Sequence, residues 1–135
     1  MLNQSIEQME GRDWGEAPPN SSNLIQKIYA IRKKKIKDLD IEDLRIMIGQ
    51  NESLNILMPI AMKILSSNFL AEGDYYEGDL LKNVLTVDKS FWKNNAQVKA
   101  HLIDLFEANK ESLMKFDTTE EIKEFLFQAY QNFLD

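Results

Sequence analysis

The 135-residue chain carries 16 Lys and Arg against 22 Asp and Glu, a net charge of −6. That balance opposes general nucleic-acid binding, which depends on cations neutralising phosphate. Without cysteine there is no disulfide framework, thiolate metal ligation or cysteine nucleophile, and no apolar run approaches the roughly 20 residues that span a bilayer.

The size suits one domain, 1–135, with a core that needs no cross-links. Residues 1–7 lack the basic start and apolar run of a signal peptide, so a cytoplasmic protein is expected. Residues 1–20, with Gly11, Gly15 and Pro18-Pro19, predict a largely irregular segment with at most one short turn. Ser21 or Ser22 can cap a helix on which Leu24, Ile25, Ile28, Ile31 and Arg32 follow helical spacing. Lys33, Lys34 and Lys35 fall in its last turn, where cations oppose the negative end of the dipole.

Asp40 is a suitable N-cap for the next helix, with Leu39 and Leu44 placed as a hydrophobic staple. Ile41, Leu44, Met47 and Ile48 face inward there, and Gly49 is a natural stop. From Ser53 to Ser67 apolar residues cover most of the circumference, which predicts a central helix buried on nearly all sides and kinked at Pro59. After an acidic loop, Asp79 can cap a short helix bearing Leu80, Leu81, Val84 and Leu85. Phe91 and Trp92 mark a turn or short helix. Val98, Leu102, Leu105, Phe106 and Ala108 share a further helix face. In the last helix Thr118 and Glu121 are spaced as a capping box, ahead of Ile122, Phe125, Leu126, Ala129 and Phe133. No segment alternates with the period of two that strands require. The expected fold is an all-α, single-domain bundle of six to seven helices around the Pro-kinked central one.

Charge is unevenly spread. Residues 27–37 hold six basic side chains and no acid, whereas 38–81 hold nine acids against Arg45 and Lys63. An acidic block of this kind either solvates a surface or attracts a cationic partner and speeds its association. Its densest part runs from Leu70 to Leu81, with Glu72, Asp74, Glu77 and Asp79 around Tyr75-Tyr76. Exposed tyrosines in such a loop bring apolar area with a polar tip.

Chemistry is sparse. His101 stands alone on a helix without the partners that metal or triad chemistry needs. No phosphate-binding glycine loop and no nucleophile elbow is present. Paired loop carboxylates suit acid–base catalysis only where one is desolvated, and a charged, glycine-containing loop does not provide that. Counted from Asp74, calcium-loop positions hold Asp74, Tyr76, Gly78, Asp79 and Leu85, which breaks that pattern. Neither an enzyme nor a metal or cofactor protein is expected. Trp14 and Trp92 suit either core plugs or interface anchors.

Glu10 and Trp14, then Glu42-Asp43-Leu44-Arg45 with Ile48 and Gln50, then Leu57, Pro59 and Ala61, and then Glu72-Gly73-Asp74-Tyr75-Tyr76 with Gly78-Asp79-Leu80-Leu81 form an ordered set. Over Glu10 to Trp92 it resembles immunity proteins of contact-dependent growth inhibition systems (the CdiI type). The resemblance implies a small bacterial cytoplasmic protein that binds and neutralises the toxic C-terminal domain of a cognate effector. Such toxins are often nucleases with basic grooves. The implied partner is that toxin domain, with no direct nucleic-acid or membrane contact; monomer and oligomer both stay open. Toxin-binding candidates are Glu72, Asp74, Tyr75, Tyr76, Glu77, Asp79 and Trp92. Equally open is a scaffold role, in which Glu42, Asp43 and Arg45 pair around a helix start, Gln50 serves the helix end, Gly73 and Gly78 turn the loop, and Tyr75 or Tyr76 packs on the core. The competing function is an acidic helical adaptor or DNA mimic that binds another basic protein.

Overall fold

A computed structural model describes residues 2–135. Among them the chain forms eight α-helices and no sheet: α1 Ile6–Glu10, α2 Asn23–Lys33, α3 Ile41–Gly49, α4 Leu54–Ser67, α5 Asp79–Leu85, α6 Lys89–Lys93, α7 Ala96–Lys115 and α8 Glu120–Leu134, with a single 3-10 turn at Ile36–Asp38. The all-α expectation holds, with one helix more. The added element is α1, inside the segment read as irregular. Ser5 and Gln8 form a capping box there, and Gly11, at φ 68°, closes the helix in the left-handed region.

Local signals account for most boundaries. Ser22 caps α2 and Asp40 caps α3, the latter as a capping box with Asp43. One reading shifts here. Thr119, not Thr118, accepts the capping bond of α8, from Ile122. Gly49 is the last residue of α3, as its reading as a stop expects, and a Cβ there would meet Asn83 Nδ2 at 2.7 Å. That amide donates to the Arg45 carbonyl at 2.8 Å, so the glycine also lets α5 approach α3.

The short helix α5 holds the centre, with Leu80, Leu81, Val84 and Leu85 all buried against α3, α4 and α8. Burial of α4 is one-sided rather than all-round. Leu57, Met58, Ala61, Met62 and Leu65 face the core, while Asn55, Pro59 and Lys63 form an exposed stripe. The helix runs from Leu54 to Ser67 through Pro59, whose ring stands on that exposed stripe. Trp92 is buried between Phe91 and Phe133, edge-on to both. Phe106 stacks on Tyr130 at 3.7 Å, and burial, assisted by the Glu107 carboxylate, raises the Tyr130 hydroxyl. Leu24, Ile25, Ala108 and Phe125, placed inward by periodicity, are exposed. No helix among the described residues is long and apolar enough to cross a membrane.

Candidate functional site

The loop between α4 and α5 is built from its main chain. Gly78 N–H donates to the Leu70 carbonyl at 3.2 Å, closing the loop at its base, and Gly78 sits at φ 96°, a conformation that favours glycine. Asp79, expected as the N-cap of α5, is instead its first residue and 2 % exposed. Its carboxylate turns back into the loop and accepts from Gly73 N–H at 2.7 Å, Tyr75 N–H at 3.1 Å and Tyr76 N–H at 3.3 Å. Three donors for one buried anion outweigh the single capping bond that a local reading assigns.

A second carboxylate completes the knot from α3. Glu42 accepts Asp74 N–H at 2.9 Å and receives a two-pronged bond from Arg45, 2.6 Å on each side. That guanidinium holds the Glu42 carboxyl below its ordinary range. It also lies 3.9 Å from Asp79 Oδ2. Thus four consecutive loop N–H groups, from Gly73 to Tyr76, point inward onto Glu42 and Asp79. Gly73 is required by space: a Cβ would stand 2.6 Å from Glu42 Oε1 and 3.2 Å from Asp79 Oδ2.

Folding therefore sorts the candidates. Glu72, Asp74, Tyr75 and Glu77 are exposed on the outside of the loop. Tyr76 is half-buried, and burial raises its hydroxyl. Asp79 is buried beneath them. Trp92 lies in the core, away from the loop's outer face, and the structure does not bring it to the same surface. Tyr75 is 71 % exposed, with the Arg45 guanidinium 4.3 Å from its ring centre. Beside the loop runs a groove of about 410 Å³ with Leu39, Ile41 and Ile64 along it and Asp40, Glu72 and Asp74 around it.

A related knot secures the N-terminal segment. Arg32, 1 % exposed, donates to Glu10 Oε1 at 2.7 Å and to the Arg12 carbonyl at 3.2 Å, with Trp14 stacked on its guanidinium at 3.9 Å. Glu10 also accepts from Ser53 at 2.8 Å. Two of the basic run's lysines pair internally, Lys33 with Glu7 and Lys34 with Asp43; the Asp43 carboxylate raises Lys34. Gln50 is exposed, and its backbone N–H, not its side chain, turns back onto the end of α3. The partnership of Glu42 with Arg45 was accessible from their i, i+3 spacing. Arg32 carried a signal too, being a cation on the apolar register of Ile28 and Ile31.

Among the described residues no group of three or more metal-ligating side chains is arranged to hold an ion. The family of CDI immunity proteins matches residues 8–102, more than half of the chain. That span includes both knots and the whole loop. No curated protein and no solved structure matches.

Proposed function

The chain belongs to the CDI immunity proteins, and from that premise we propose that it neutralises its cognate toxin by direct protein–protein binding, in the cytoplasm, with the outer face of the acidic loop against a basic toxin surface. The observation that carries this reading is the sorting of the loop: Glu42 and Asp79 are spent inside, while Glu72, Asp74 and Glu77 project outward with Tyr75. None of those three outward carboxylates has an ion-pair partner among the described residues. Such a field speeds encounter with a cationic partner and sets its orientation. A nuclease domain, whose substrate groove is basic, is the toxin class this surface fits.

Inhibition on this reading needs no turnover. A general acid at neutral pH requires a carboxyl raised by desolvation, whereas Glu42 is lowered by Arg45. The test is co-expression with the toxin domain encoded alongside the chain. A co-purifying complex and rescued growth are expected, and the triple change Glu72→Lys, Asp74→Lys, Glu77→Lys should slow association about tenfold or more at low salt. Two soluble proteins that neither co-purify nor rescue growth would refute direct binding. An unchanged association rate in the folded triple variant would place the interface elsewhere.

A further inference from the structure

We propose that Tyr75 is the anchor of the toxin-facing surface and that Arg45 is its positioning residue, an inference that rests on the reading of the loop as that surface. Tyr75 has the most exposed large apolar side chain among the described residues, at 71 %. A ring so open to solvent ordinarily samples several rotamers and loses that freedom on binding. Here it is held from below. The Arg45 guanidinium lies 4.3 Å from the ring centre. That guanidinium is itself fixed by two 2.6 Å bonds to Glu42, and the Tyr75 N–H is tied to Asp79 at 3.1 Å. Backbone and ring are both set before any partner arrives.

Pre-organised aromatic side chains with one free face are what binding hot spots are made of. Two other exposed aromatic rings each lack one of these properties. Phe125 is 56 % exposed with no cation over its ring among the described residues, and Trp14, though stacked on Arg32, is only 38 % exposed. Around Tyr75 the carboxylates of Glu72, Asp74 and Glu77 are all acceptors. The fitting counterpart is an apolar slot on the toxin rimmed by Lys or Arg, which takes the ring while its cations meet the carboxylates.

The experiment measures binding of the cognate toxin domain to the wild type, Tyr75→Ala, Tyr75→Phe, Arg45→Lys and the double variant Arg45→Lys/Tyr75→Ala. Arg45→Lys keeps the charge beside Glu42 and removes the planar stack. Tyr75→Ala should weaken binding roughly thirtyfold and Tyr75→Phe no more than about threefold, since the ring is retained. Arg45→Lys should weaken it roughly fivefold alone and not at all further in the Tyr75→Ala background, because residues acting through one another are not additive. A merely structural Arg45 would give additive losses, which overturns the positioning role. Tyr75→Ala binding like wild type while the charge-reversed loop still associates slowly overturns the anchor and leaves the loop reading standing. A second readout needs no toxin. The Tyr75 ring should shift the Arg45 side-chain methylene protons upfield in the proton NMR spectrum, and Tyr75→Ala should abolish that shift; unshifted protons in the wild type overturn the stack.

Discussion

The two arginine knots use the same parts to opposite ends. Each joins a glutamate, an arginine and an aromatic ring: Glu10, Arg32 and Trp14 in one, Glu42, Arg45 and Tyr75 in the other. Each ties an irregular segment to a helix. They differ in depth. Arg32 is almost wholly buried and its ring partner Trp14 is 38 % exposed, whereas Tyr75 is 71 % exposed over an Arg45 that keeps partial contact with solvent. The first knot draws its segment down onto α2. The second fixes a loop from beneath and leaves its ring standing outside. Depth decides whether an ion pair closes a fold or presents a surface, because a desolvated charge must keep its partner while a partly solvated one has an alternative.

The sharpest way to break the contrast is to remove each cation in turn. Arg32→Met should cost about 3 kcal/mol, the low end for a broken buried pair because Glu10 can reach solvent. Arg45→Met should cost only about 1 kcal/mol, since Arg45 itself is partly solvated and Glu42 and Asp79 keep their bonds from the loop amides. Thermal unfolding of the two variants measures the difference, and equal losses would abolish the distinction. A smaller effect is expected at Gly73. An added methyl must push Glu42 away from Arg45 and Asp74, so Gly73→Ala should cost roughly 1–2 kcal/mol and speed hydrogen exchange at the Asp74 amide. Intact exchange protection in that variant would mean that the loop accommodates a Cβ without releasing Glu42.

The smallest effect is electrostatic. Because the folded-state value of Glu42 is depressed by Arg45, its contribution is present above the unfolded glutamate range and is lost as pH falls through the lower folded value. The stability gap between wild type and Glu42→Gln, below about 1 kcal/mol at neutral pH, should therefore narrow from about pH 5 downward. Urea titrations across that range measure it. A gap that widens on acidification would give Glu42 the opposite sign.

Helix positions were mostly legible where the deciding partner lies within four residues, α1 with its Ser5–Gln8 box being the exception. Asp40 and Asp43 settle the start of α3 between themselves, and the stripe through Ile122, Leu126, Ala129 and Phe133 places α8 on the core. Longer-range choices were not legible. Asp79 is chemically competent as a cap, and only the folded loop shows three amides converging on it. Arg32 meets an acid 22 positions away, a distance that no periodicity encodes. Trp92 sits in a segment without helical pattern, and its burial follows from Phe133 arriving from the far end of the chain. Phe125 has the spacing of a core residue, yet it lies on the outer edge of α8 because no helix covers it there.

The four inward N–H groups of the loop have a consequence for how such a surface can change. The main chain of Asp74 and Tyr75, not their carboxylate or ring, supplies the bonds that hold the loop in shape. Their side chains, and the outward ones of Glu72 and Glu77, are thereby released from maintaining it. The loop acts as a mounting whose fittings are interchangeable: Glu42, Gly73 and Asp79 preserve its outline while the outward residues are free to be exchanged for others that suit a different opponent.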